Sequence, residues 1–252
     1  MATQTVQRAQ AARQAPTAAV VAYAGAAAFV ISAAWFWLAT KGVTVAEAPQ
    51  ARPGETVAQG LRGYYQWQAT TLGQERWYTV IAIAGFGCLA TVACAVHRGL
   101  GHRRGLATAG AVAVGAGTLA WIAGSLVRLG GHRAVGLMAT HSNPITAVNS
   151  IAFTVDLIVA TFAVAAFALA GAGLLAFALT VRGSASQASQ RAASVWAGYT
   201  IVVAVALLVT AGAYAVGNGS LADLLLFADG VAALPVWLVW TNRRWRTAPA
   251  TG

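Results

Sequence analysis

Two aspartates in the last apolar run of the chain are the first candidates for chemistry. Asp229 lies eight residues into the run from Leu221 to Trp240, which places it about 12 Å deep in a helix rising 1.5 Å per residue. A carboxylate at that depth in a bilayer is costly to ionise, so Asp229 is a candidate proton or cation site. Asp223 is either a second member of this site or a charge that caps the helix N-terminus.

Pro235 follows Asp229 by six residues. Its ring is expected to free the carbonyl of Val231 and to kink the helix. A mid-membrane carboxyl beside a kink is typical of a proton or cation site. The alternative is an aspartic acid that only joins helices, through a hydrogen bond to Ser, Thr or Tyr on a neighbouring span.

A second group of candidates surrounds the segment from residue 128 to 144, which is expected to be a loop. This segment holds His132 and His141, and Asp156 follows it. Two histidines and one aspartate could bind a metal ion or act as acid and base. Their spacing matches no established metal motif, and the alternative is an ordered interfacial loop. We therefore predict no metal and no cofactor, and keep the three residues as candidates for catalysis or metal binding.

The composition indicates which elements must position these residues. Of the 252 residues, 58% are hydrophobic and 9% are charged, whereas a soluble domain carries about a quarter charged residues. An ordinary soluble protein is excluded, and a disordered chain would be far less apolar. The net charge is +10, but the charged residues lie between long apolar runs. The charge therefore predicts no nucleic-acid partner.

Six runs are long and apolar enough to cross a bilayer as helices. They are Ala18 to Thr40, Tyr78 to Val96, Leu106 to Val127, a span within Ala147 to Val181, Ala193 to Val216, and Leu221 to Trp240. The prediction is an all-α membrane helix bundle. Its six-span domain covers residues 18–240, between a tail of residues 1–17 and a basic tail of residues 241–252.

Basic residues predict the orientation of the bundle. Ten basic and no acidic residues flank one set of span ends, whereas the other set has six basic residues together with Glu47, Glu55 and Glu75. Because Lys and Arg in short loops mark the cytoplasmic side, both termini are predicted to be cytoplasmic. We expect the chain in the plasma membrane, with its basic face on anionic lipids.

The long outer loop, residues 41–77, contains an amphipathic stripe. Val57, Leu61, Tyr65 and Leu72 recur at helical spacing. They predict a short helix that lies on the outer leaflet or caps the bundle, and a substrate lid is the alternative.

Small residues mark the packing faces of spans three and four. In span three they are Gly110, Gly115, Gly117 and Gly124. Such residues let helix backbones approach in lipid, so these positions are expected inside the bundle, or at a face between two copies of the chain. Span four lies in an apolar run of 35 residues, and it must tilt, kink near Gly171 or project outward.

The layout resembles six-helix bacterial membrane proteins of the domain-of-unknown-function 4386 type. The similar features are the long outer loop, the run from Ser194 to Gly198 before span five, and the apolar helix from Leu224 to Val239 that ends in basic residues. The resemblance implies a six-helix membrane fold and brings no activity or site with it.

The lack of any catalytic motif favours a small carrier, a sensor, or a subunit of a membrane assembly or homo-oligomer. The alternative is a membrane-embedded enzyme that uses outer-face carboxyl and histidine groups on a lipid-soluble substrate. An enzyme should bring Asp156, His132 and His141 to one apolar pocket, whereas a carrier should place Asp229 on a central polar cavity.

Overall fold

The computed structural model describes residues 2–40, 49, 53–100, 104–141, 143–182 and 190–247. Within these ranges the chain is helical and contains no strand. The helices are α1 (Ala2–Thr40), α2 (Val57–Gly99), α3 (Arg104–Thr140), α4 (Ile145–Arg182), α5 (Gln190–Ala215), α6 (Gly219–Ala228) and α7 (Leu234–Thr247). A π-helical turn, Asp229–Ala233, joins α6 to α7 in one continuous rod.

Six stretches of the described chain are long and apolar enough to cross a membrane. They are Ala19–Ala39, Arg76–Gly99, Gly105–Thr140, Ile145–Arg182, Ala193–Ala215 and Gly219–Arg244. On α3, Val112, Leu119 and Leu126 follow one another at seven-residue spacing and stay largely exposed, as expected for a lipid-facing stripe. The prediction of an all-α bundle with six membrane spans is confirmed.

Four of the helices are much longer than a bilayer requires, among them α1 with 39 residues. Helices α2, α3 and α4 contain 43, 37 and 38 residues, against about 20 for one crossing. The predicted loop over residues 128–144 was wrong, because α3 continues to Thr140. The stripe that begins at Val57 is helical, but it is continuous with span two instead of being a separate helix on the leaflet.

The parts of α2, α3 and α4 that exceed one bilayer crossing pack together. We call them the three-helix extension, which consists of residues 57–75 of α2, 129–140 of α3 and 145–156 of α4. Its small apolar core contains Tyr65, Val135, Ala139, Val148 and Ala152. Helix α4 therefore runs as one unbroken helix from the extension into the membrane span, and Val148 and Ala152 are its buried residues in the extension.

Hydrogen bonds join the extension part of α2 to the ends of α3 and α4. The guanidinium of Arg62 donates to the carbonyl oxygens of Ala139, at 2.7 Å, and Asn143, at 2.8 Å. These carbonyls lie at and just beyond the end of α3, where a cation is favourable. The Tyr65 hydroxyl donates to Oδ1 of Asn149 over 2.7 Å. The apolar core and these bonds explain why residues 57–75 leave the leaflet surface.

A glycine stripe sets the register between the antiparallel helices α3 and α4. A Cβ atom added to any of its members would lie 2.9 Å or less from an atom of α4. The members are Gly110, Gly117, Gly124 and Gly131, and their contacts on α4 are Gly173, Ala166, Phe162 and Val155. The predicted interior role is confirmed for the first three, whereas Gly115 faces open space. Gly131 escaped the sequence analysis because it was placed in a loop.

Candidate ligand cavity

A cavity of about 440 Å³ lies among the helices, below the three-helix extension. Its volume falls within the roughly 300–1,000 Å³ typical of small-molecule sites. The charged or imidazole side chains on its wall are Arg128, His132, Asp156, Asp223 and Asp229. The tertiary structure thus brings four of the five sequence candidates to one cavity, and His141 is not among them.

Asp229 is the most deeply buried of these carboxyl groups, with 3% of its surface exposed. Its Oδ2 atom lies 2.7 Å from Oγ1 of Thr210 on α5. The same Oγ1 atom lies 3.1 Å from the carbonyl oxygen of Ala206. A threonine hydroxyl has one proton to donate, so it can donate either to a charged Asp229 or to Ala206. In the second case a protonated Asp229 can donate to Thr210.

The backbone beside Asp229 departs from an α-helix. The N–H of Leu234 donates to the carbonyl oxygen of Asp229, five residues earlier. A π turn therefore lies directly before Leu234 and Pro235, in the part of the span where a kink was predicted. The Tyr199 hydroxyl donates to the carbonyl oxygen of Ala233 over 3.2 Å, which satisfies an acceptor at the end of the turn. Turns of this kind occur frequently at functional sites.

Gly230 brings the π turn against α1. A Cβ atom at this position would lie 2.6 Å from Cβ of Ala33. Because the two backbones approach so closely, the carboxyl of Asp229 is held at the wall of the cavity between α1 and α5. Any larger residue at position 230 would displace one of the two helices.

His132 and Asp156 form a pair where the extension meets the cavity. The Nε2 atom of His132 lies 3.2 Å from Oδ1 of Asp156, and its Nδ1 atom lies 3.2 Å from Nε2 of Gln68. If the Gln68 amide donates to Nδ1, then Nε2 carries the proton that is donated to Asp156. Both ring nitrogens are therefore occupied by protein groups, which leaves neither in position to take a proton from a ligand.

His141 lies apart from this pair. It is exposed at the end of α3, and its Nδ1 atom lies 2.7 Å from the carbonyl oxygen of Leu137 on the same helix. The predicted trio of Asp156, His132 and His141 is thus only a pair in the structure. The described residues contain no group of three or more His, Cys, Asp or Glu side chains that could hold a metal ion.

Arg128 and Asp223 also lie on the wall of the cavity. The Arg128 guanidinium carbon lies 5.7 Å from the ring centroid of Tyr78, and Arg128 is close enough to Asp223 for a Coulombic interaction. The N-cap of α6 is Asn218, whose side chain accepts from the N–H of Leu221 at 3.1 Å. The alternative that Asp223 caps the helix was wrong, because Asp223 faces the cavity instead.

An aromatic wall, which the sequence analysis missed, lines the same cavity. It consists of one ring from each of the first five helices, namely Phe29, Phe86, Trp121, Phe167 and Tyr214. Consecutive ring centroids lie 5.3, 4.9, 5.4 and 6.0 Å apart. No local signal could have grouped these rings, because each belongs to a different span.

The extension forms one end of the cavity. Tyr64, Trp67 and Gln68 of α2 belong to its wall. The pKa of the neighbouring Tyr65 is raised above its ordinary value, mainly by burial and then by the charge of Asp156 and by Tyr64. Tyr65 therefore keeps the proton that it donates to Asn149.

The fold and the cavity define the class of this chain: a multi-pass α-helical membrane protein with an aromatic, acidic cavity inside its bundle. No protein-family model, curated protein or solved structure matches the chain. The resemblance to the domain-of-unknown-function 4386 proteins accordingly stays a prediction.

Proposed function

We propose that this protein is a small membrane carrier that binds its ligand in the cavity and exchanges a proton at Asp229. The observation that carries the proposal is the position of Asp229, a buried carboxyl on the wall of a mainly apolar cavity that also holds four other charged or imidazole side chains. Ionisable groups inside a membrane domain characteristically mark ion and substrate pathways. The position of Asp229 on a cavity inside the bundle supports a carrier.

The contacts of Asp229 supply a way to accept and release the proton. When Asp229 is charged, the Thr210 hydroxyl donates to it. When Asp229 is protonated, it donates to Thr210, and the Thr210 hydroxyl turns to the carbonyl oxygen of Ala206. The charged state has the 2.7 Å bond between Thr210 and Asp229, and the protonated state has this bond and the 3.1 Å bond from Thr210 to Ala206. The exchange therefore requires only rotation of a hydroxyl group.

The π turn provides a hinge in the sixth span, about which α6 can move relative to α7. Residues 229–233 connect α6, which carries Asp223, to α7. A change in the hydrogen-bond pattern of this turn would rotate the two helices relative to each other. Since the turn contains Asp229 itself, protonation and helix movement are coupled in the proposed carrier.

The geometry gives less support to an enzyme. His132 has a protein partner at each ring nitrogen, and His141 is bonded to its own helix. The pair of His132 and Asp156 joins the extension to the cavity, which is a positioning role. We therefore favour the carrier over a membrane-embedded enzyme.

The distribution of basic residues supports an orientation for this carrier. We place both termini in the cytoplasm and the three-helix extension outside, with the chain in the plasma membrane. The predicted basic face then meets anionic lipids of the inner leaflet. In this orientation the described cavity lies toward the outer side of the bundle.

The carrier is tested by the accessibility of one cavity residue from the two sides of the membrane. Ser125 lines the cavity and is buried. A Ser125→Cys variant, in a chain whose Cys88 and Cys94 are replaced by Ala, is treated with a membrane-impermeant thiol reagent in right-side-out and inverted vesicles. We expect labelling from the outside and from the inside, in a ratio that changes with pH. Asp229→Asn should abolish that change.

Two control positions on the same helix make the result interpretable. Leu126→Cys faces away from the cavity, at 62% exposure, and should be labelled poorly from either side. Thr140→Cys, at the exposed end of α3, should be labelled only from the outside. Labelling of position 125 from a single side at every pH would contradict a carrier, and labelling of position 140 from the inside would reverse the proposed orientation.

A further inference from the structure

The charges on the cavity wall are not balanced at Asp229. Asp156 accepts a hydrogen bond from His132 at 3.2 Å, and its side chain is 68% exposed, so solvent screens its charge. Asp223 lies within the Coulombic reach of Arg128. The partner of Asp229 is the neutral hydroxyl of Thr210. Among the described residues, no cationic side chain pairs with Asp229. A positive charge would therefore be most stable in the cavity at this carboxyl.

The aromatic wall favours the same sign of charge. Its rings carry negative potential on their faces, and a cation within about 6 Å of a ring centroid is attracted to it. Phe86 and Trp121 are stacked at 4.9 Å, and Phe167 stacks with Tyr214 at 6.0 Å. The rings also present apolar surface, so the wall suits a ligand that carries a positive charge and a hydrophobic group.

We propose that the ligand of this cavity is an amphipathic organic cation, with its charge at Asp229 and its apolar body against the aromatic wall. The proposal rests on the proposed function in one respect, which is that the cavity is the ligand site. Binding replaces the proton of Asp229 with the positive charge of the ligand. The Thr210 hydroxyl then donates to the charged carboxylate.

The same contacts disfavour other classes of ligand. A small inorganic cation would have to exchange its water shell for several oxygen ligands, whereas the neighbours of Asp229 on the wall include Gly230, Ala33 and Leu234. An organic anion would meet three aspartates against one arginine. A neutral ligand would leave Asp229 protonated and would gain nothing from its charge. An organic cation has weakly held water and needs no coordination shell, so it fits both the carboxyl and the rings.

The experiment compares two probes of the same shape and opposite charge. Tetraphenylphosphonium and tetraphenylborate are equilibrated with the purified full chain in detergent, and binding is measured by equilibrium dialysis against detergent alone. We expect the cation to bind at least about tenfold more tightly than the anion, which corresponds to about 1.4 kcal/mol. Asp229→Asn should remove most of this preference, whereas Asp229→Glu should keep it.

A matched variant tests whether the loss of a carboxylate elsewhere in the chain also reduces the binding of the cation. Glu55→Gln removes an exposed acidic group just before α2, and it should change cation binding by less than about twofold because solvent screens such a charge. Trp121→Leu removes one ring of the wall and should weaken both probes, the cation more. Size-exclusion profiles show whether each variant is folded. Equal binding of the two probes to the wild-type chain would overturn the inference.

Proton release separates this inference from the proposed function. In weakly buffered solution, binding of tetraphenylphosphonium should release protons from the wild-type chain and not from Asp229→Asn. The other charged or titratable side chains on the cavity are Tyr64, Tyr78, Arg128, His132, Asp156, Tyr214 and Asp223, and the variant distinguishes their protons from that of Asp229. Charge-selective binding without proton release would contradict proton exchange while supporting the cation site. Proton release with both probes would contradict the cation site.

Discussion

Gly131 on α3 packs directly against Val155 on α4, so closely that a Cβ atom on the glycine would lie 2.5 Å from Cγ1 of the valine. The next residue on each helix is His132 and Asp156, whose side chains meet at 3.2 Å. Gly131 therefore allows α3 and α4 to approach closely where the extension meets the cavity, and this approach brings His132 to Asp156. Val155 is β-branched and stiff at χ1, so it cannot turn aside to admit a side chain.

We expect Gly131→Ala to destabilise the protein by about 1–3 kcal/mol, the usual effect of overpacking. The His132 and Asp156 pair should also separate. Gly130→Ala is the matched control, because a Cβ atom there meets open space, and it should have no such effect. Thermal unfolding in detergent measures the difference, and an equal loss in both variants would contradict the packing argument.

Thr210 should matter through its hydroxyl group. Thr210→Val keeps the shape and removes the donor, and a hydrogen bond to a charged group is worth about 1.5–3 kcal/mol. The charged form of Asp229 then loses its partner, so binding of tetraphenylphosphonium should weaken about tenfold or more. Thr210→Ser restores a hydroxyl and should recover binding. If the Val and Ser variants bind equally, the hydroxyl has no part in the site.

His132 and His141 should differ in their effect on the extension. His132→Ala breaks the contacts with Gln68 and Asp156, and we expect a loss of about 1–3 kcal/mol with faster amide exchange over residues 57–75. His141→Ala should change neither quantity appreciably, since this side chain is exposed and contacts only its own helix turn. Hydrogen exchange read by mass spectrometry compares the two variants, and similar exchange in both would argue against the positioning role.

Tyr65 should make the extension sensitive to alkaline pH. Its pKa is raised in the folded chain, so its contribution to stability is fully present below the pKa of the unfolded state, ordinarily near 10. That contribution is lost as the pH rises through the folded-state value. Tyr65→Phe loses the bond to Asn149, at a cost of about 0.5–1.5 kcal/mol. The unfolding temperature of this variant, measured from pH 8 to 11, should fall less steeply than that of the wild-type chain.

The sequence by itself determined the six spans, because the length of an apolar run against the thickness of a bilayer is a local property. It also singled out Asp229 and the distortion before Pro235, since both follow from position within one run. His132 and Asp156 were recognised as candidates from their residue types alone. The segments between the spans were predicted less well. The helix that begins at Val57 was expected to be separate from span two, and residues 129–140 were expected to be part of a loop. Both continue their spans, and they pack on one another in the extension.

The tertiary structure decided which residues share a site. His132 meets Asp156 because Gly131 allows α3 to approach α4, and His141 misses them because two further helical turns carry it away. The aromatic wall collects one ring from each of five spans, and no spacing within a span encodes such a group. Membrane helices are defined by their local apolar lengths, whereas the cavity between them depends on the close packing of side chains from distant parts of the chain.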